Sequence, residues 1–177
     1  MLLRSRSSCL TLGAVAVLIG MLSACAPPPA PTPSPTPAFA SEEDAFAAAE
    51  KVYRAYNDAE NAERGGDHTA DPNSYLTGPA LETALSSRRL VEQAGWTLVG
   101  DGEVDTFSGT KAHLTASPAK VAARVCLDVA GTRVLDKSGA DVTPADRLTR
   151  VLLDIEFITE SDRLLIAKTE AAEDETC

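Results

Sequence analysis

From Phe39 onward the chain repeats its apolar residues first at helical spacing and then in alternation. Phe46, Ala49, Val52, Tyr53 and Tyr56 fall on one face of a helix. Ser41-Glu42-Glu43-Asp44 precedes them, a hydroxyl to cap the free amides with acids in the first turn. Gly65-Gly66 ends that helix or the loop after it. A second helix is predicted from near Thr77-Gly78-Pro79, where Pro79 suits a first-turn position. It runs through Leu81, Leu85 and Leu90 to Gly95, a C-terminal stop.

After Trp96 the period shortens to two. Val121, Ala123, Val125, Leu127 and Val129 alternate with Ala122, Arg124, Cys126 and Asp128, the pattern of a half-buried strand. Val151, Leu153, Ile155 and Phe157 form a second inward face, opposed by Leu152, Asp154 and Glu156. Thr159-Glu160-Ser161-Asp162 reads as a hairpin turn into Arg163–Thr169, and Lys137-Ser138-Gly139 supplies another turn. Trp96–Val99 and Val104–Phe107 are weaker strands around Gly100-Asp101-Gly102. Two helices followed by four to six antiparallel strands define an α+β class, with N-terminal helices packed on one face of the sheet.

Composition changes the picture mainly through its uneven distribution. Seven of the eleven prolines fall between Pro27 and Pro37. Residues 26–38 therefore read as a polyproline II stalk whose 13 residues reach roughly 40 Å. Before it, Arg4 and Arg6 precede an uncharged apolar run, Leu10 to Leu22, of 13 residues. That is the plan of a secretory signal peptide, and it is shorter than the roughly 20 residues that span a bilayer. The organisation predicted is a signal peptide over 1–24, a modified N-terminus and linker over 25–38, and a globular domain over 39–177.

The tetrapeptide Leu22-Ser23-Ala24-Cys25 resembles the bacterial lipobox. The resemblance implies cleavage before Cys25 and its diacylglyceryl modification, with palmitate-type chains anchoring the protein on the extracytoplasmic face of the cell membrane. Two acyl chains anchor stably where one anchors marginally, each buried CH₂ contributing about 0.8 kcal/mol. The whole chain carries a net charge of −10, and losing Arg4 and Arg6 takes the mature chain to −12. Anionic lipid repels such a body, so the acyl chains have to hold it. The same acidity excludes a nucleic-acid partner, which needs a basic stripe.

With Cys9 removed and Cys25 acylated, Cys126 and Cys177 are the remaining cysteines. An exported domain permits their oxidation to one disulfide, with two free thiols or an intermolecular bond as the alternatives. Cys126 lies on the polar face of its strand, so the bond would pin the C-terminal tail across the outside of the sheet.

Candidate chemistry is sparse. His68 stands among Asp67, Asp71 and Asn73, a polar loop before it is a metal site or an acid–base pair. His113 lies in a strand or its approach. Asp136-Lys-Ser138-Gly139-Ala-Asp141 has the spacing of a calcium loop, but Arg147 takes the place of the glutamate an EF-hand needs. Arg88-Arg89 reads as a solvated helix face, and Trp96 as a core or mouth residue. No zinc cluster, nucleophile elbow or phosphate-binding glycine motif is present. The reading therefore assigns no catalytic residue, no metal and no cofactor.

Tyr75-Leu76-Thr77-Gly78, Ala94-Gly95-Trp96, Val125-Cys126-Leu127-Asp128-Val129 and the terminal cysteine are similar to small secreted lipoproteins of high-GC Gram-positive bacteria with a nuclear-transport-factor-2-like domain. The resemblance implies a curved sheet closing on its helices as a cone. It implies a non-catalytic domain that binds a small apolar ligand or another envelope protein, and a homodimer through the sheet face. The alternative, from enzymes of that fold, is an isomerase- or cyclase-like proton transfer. It requires ionisable groups facing an apolar pocket, and the strand acids Asp128, Asp154 and Glu156 fall opposite the apolar faces.

Overall fold

A computed structural model describes residues 38–172 and Cys177. The predicted signal peptide, Cys25 and all of the predicted stalk except Ala38 lie outside the described residues. Helix α1 spans Glu42–Arg64 and is capped by the Ser41 side chain, which accepts from the Asp44 amide at 3.1 Å. Gly65 closes it, its amide donating to the Asn61 carbonyl. A short 3-10 helix, Pro72–Tyr75, leads to α2, Gly78–Ala94, which ends at Gly95 in the left-handed conformation. Six strands follow: β1 (Thr97–Val99), β2 (Glu103–His113), β3 (Lys120–Asp128), β4 (Arg133–Leu135), β5 (Arg150–Glu160) and β6 (Arg163–Ala171).

The strands form two antiparallel sheets, a four-stranded one in the order β2-β3-β5-β6 and a two-stranded one, β1-β4. β1 and β2 therefore do not form a hairpin around Gly100-Asp101-Gly102, although they adjoin it. β1 pairs forward in the chain, Leu98 opposite Val134. Ser161-Asp162 makes the predicted turn between β5 and β6.

Register decides which residues meet the helices. Val121 pairs with Phe157, Ala123 with Ile155 and Val125 with Leu153, so the apolar members of both alternations share a face. Against it lies the stripe Ala45, Ala49, Tyr53 and Asn57, every fourth residue of α1 and all buried. Two alanines let the helix come close, and Phe46 lies so near the β2 backbone that a side chain at Gly109 would strike its ring. Ile166, Leu76 and Ala80 complete the core.

The opposite sheet face carries cross-strand ion pairs: Lys120–Glu156, Arg124–Asp154 and Asp105–Arg150. Cys126 lies on this polar face, as expected, yet it is buried. Cys177 sits at disulfide distance from it, with Cα atoms 5.6 Å apart, and Arg150 lies over its sulfur. Leu152 and Ile158 are partly buried among the ion pairs.

Candidate functional site

A cavity of about 580 Å³ lies between α1, α2 and the inner side of the sheets, within the size range of small-molecule sites. Small residues on α2 create it. Ala80, Thr83, Ala84, Ser87, Arg88 and Val91 line the cavity and follow the three- and four-residue spacing of one helix face. Short side chains there leave a gap where a leucine would fill it. The leucines named from the sequence lie off this stripe: Leu81 packs against the core, while Leu85 is 37% and Leu90 64% exposed. The helix was legible and Leu81 faces inward as read; the small residues of its cavity-lining face were not.

From α1 the cavity receives Tyr53, Tyr56, Asn57, Glu60, Glu63 and Arg64; Leu98, Leu127, Val129 and Leu153 form much of the far wall. The C-terminal half of α1 is held by the loop beside it. Asn57 Nδ2 and Asn61 Nδ2 both donate to the Gly102 carbonyl at 2.9 Å, and the Gly102 amide donates back to Asn61 Oδ1 at 2.9 Å. Arg64 Nε donates to the Gly100 carbonyl at 3.0 Å. Gly100 has φ +82°, and a Cβ there would collide with the Gly131 carbonyl oxygen, so the loop needs glycine at this point. What the sequence offered as a turn is the clamp that fixes the ionic wall of the cavity.

Four charges stand on that wall, in two pairs. Arg64 Nη1 donates to Glu60 Oε2 at 2.8 Å within α1. Arg88 reaches from α2 to Glu63 with both terminal nitrogens, Nη2 to Oε2 at 2.9 Å, and so bridges the two helices. Burial raises the Tyr53 phenol well above its usual range, with the Glu60 charge adding to the effect. Tyr56 is raised likewise, first by burial, then by Glu60 and Tyr53, with Arg64 opposing. Both phenols are neutral hydrogen-bonding groups across the physiological range.

The structure corrects two expectations here. Arg88 belongs to the cavity rather than to a solvated face, and Arg89 beside it is exposed. Ionisable groups do face the cavity: they come from the helices, while Asp128, Asp154 and Glu156 stay off it. A signal was available in the spacing of Tyr53, Tyr56, Glu60, Glu63 and Arg64, which continues the inward stripe of α1 past the core.

The remaining candidates lie elsewhere. His68 and His113 are exposed. Among the described residues no group of three or more His, Cys, Asp and Glu is placed to hold a metal. The calcium-like spacing at Asp136 is a turn: its carboxylate accepts from the Ser138 amide and hydroxyl, each at 2.7 Å, and from the Ala140 amide at 3.0 Å. The Ser138 hydroxyl, with those amides, holds Asp136 below the usual carboxylate range. Trp96 is 49% exposed and precedes β1, whose Leu98 lines the cavity. Among the described residues no helix is long and apolar enough to cross a membrane.

Fold and site together define an α+β domain with two helices on an antiparallel sheet and a mixed apolar and ionic cavity between them. No family model matches the chain, and no curated protein matches it. Among solved structures it is similar to the crystal structure of the intermembrane space region of the chloroplast protein ARC6, at 17% identity and a TM-score of 0.52. The match covers 71% of this chain and 95% of that one. Identity at that level shows a shared fold and nothing further.

Proposed function

We propose that this chain is an exported, lipid-anchored binding protein of the cell envelope whose cavity holds a small, mainly apolar ligand. The lipobox-like Leu22-Ser23-Ala24-Cys25 supports the anchor and the extracytoplasmic membrane location, and the proline-rich segment serves as its stalk. In this reading the sheet curves over the helices as the cone expected from the nuclear-transport-factor-2-like resemblance. A Cys126–Cys177 disulfide ties down the C-terminal tail. The polar sheet face, laced with cross-strand ion pairs, presents little apolar surface for a homodimer, so the cavity rather than that face carries the function.

The observation that carries the reading is the cavity itself, lined on α2 by a stripe of small residues. Nile red, an uncharged dye that brightens in apolar surroundings, tests it. The protein is expected to enhance its fluorescence with one site per chain. Ala84→Phe, which fills the cavity, abolishes the enhancement while leaving the melting temperature within a few degrees. No enhancement by the unaltered protein contradicts the reading.

A proton-transfer enzyme is the second reading, and the observation favouring it is Glu60 beside Tyr56 on the cavity wall. Against it, each cavity carboxylate is already engaged by an arginine, so neither stands free to take a substrate proton. The enzyme reading requires exchange of α-protons of a bound ketone with D₂O, lost in Glu60→Gln. The binding reading requires no exchange.

A further inference from the structure

Resting on that binding reading, we infer that the cavity selects an uncharged amphiphile, a hydrocarbon chain with a hydroxyl or ester head, over an ionic one. The two arginines and two glutamates on its wall sum to zero and their charges are paired, Glu60 with Arg64 and Glu63 with Arg88, which leaves the buried Arg88 Nε as a donor a neutral ester or hydroxyl oxygen can meet. An anionic head would have to draw an arginine from its glutamate, and a cationic head the reverse. Either exchange leaves a partly buried charge without a partner, which costs more than the new contact returns. Arg64 is further committed, through Gly100 and Asn61, to the loop that holds α1.

Neutral polar groups also line the cavity. Thr83 and Ser87 on α2 and Thr169 on β6 line the cavity, and among the described residues their hydroxyls take part in no hydrogen bond. Each can donate and accept, so a head of hydroxyl and ester oxygens finds partners without disturbing an ion pair. The aliphatic wall of Leu76, Ala80, Leu127 and Leu153 takes the chain. The Glu63–Arg88 bridge is then a specificity element, because it cancels the charges an ionic ligand would use.

Displacement of Nile red from the exported full chain tests this, with Cys25→Ser so that no acyl group or detergent accompanies the protein. The competitors are monooleoylglycerol, oleate and oleylamine, each kept below its aggregation concentration. Monooleoylglycerol is expected to displace the dye at about tenfold lower concentration than either ionic competitor, a difference of about 1.4 kcal/mol. Glu63→Gln frees Arg88 and moves the preference toward oleate; Arg88→Met frees Glu63 and moves it toward oleylamine. Opposite shifts from the two variants separate selection by charge from simple loosening of the fold. If neither variant folds, the three competitors on the unaltered chain decide. Oleate or oleylamine displacing as well as monooleoylglycerol overturns the inference and leaves the cavity reading standing. Failure of Nile red to bind at all overturns both.

Discussion

Asn57 closes the buried stripe of α1 and turns it from packing to polar contact: above it are alanines and Tyr53 against the sheet, beyond it the ionic wall. Its amide hydrogen bond to Gly102 and those of Asn61 and Arg64 keep a loop without regular structure tight to the helix. Gly100 lets the backbone take its left-handed turn against Gly131. Gly100→Ala is therefore expected to cost about 1–3 kcal/mol, read as a lowered denaturation midpoint in urea; a midpoint unchanged from the parent would remove the clamp from the account. Tyr53 and Tyr56 give a second residue-scale test. Their folded pKa values are raised by burial above the unfolded value near 10. The stability this contributes is complete below pH 10 and is lost as pH rises beyond it. An absorbance titration at 295 nm should show two of the three tyrosines ionising only as the protein unfolds. All three ionising while the native circular dichroism persists would contradict their burial.

Among the elements, those governed by local chemistry were legible in the sequence. Ser41 and Gly65 bound α1, Gly95 bounds α2, and alternation put Val121, Val125, Ile155 and Phe157 on one face. Two things were hidden for physical reasons. β1 pairs with β4, some 35 residues away, a long-range choice that propensity does not encode. Beyond Leu81, which packs on the core, the inward face of α2 is a small-residue stripe that lines the cavity, and apolar periodicity finds only faces that are filled. That assignment predicts that Leu90→Gln changes stability by no more than about 0.5 kcal/mol, whereas a core leucine would cost several. A loss above about 2 kcal/mol on thermal melting would restore the leucine face. Cys126→Ser should alter mobility on non-reducing gels, since the proposed bond closes a loop of sequence separation 51. Mobility of the parent that is identical with and without reductant would dissolve the pairing.

At the scale of the molecule, the proposed lipid anchor would hold near an anionic surface an acidic domain that charge alone would keep off it. Cys25→Ser is expected to shift the protein from the membrane pellet to the soluble fraction after lysis. Retention in the pellet through an alkaline carbonate wash would point to another attachment. The α+β architecture shared with the ARC6 intermembrane space region supplies the frame, and the cavity is argued from the side chains of this chain. Its occupancy is the central claim, and native mass spectrometry of the protein released intact from its own membranes measures that most directly. The account predicts a second peak series heavier by one small, uncharged amphiphile, absent from Ala84→Phe. A single series at the mass of the bare chain, in preparations that retain other bound lipids, would contradict it.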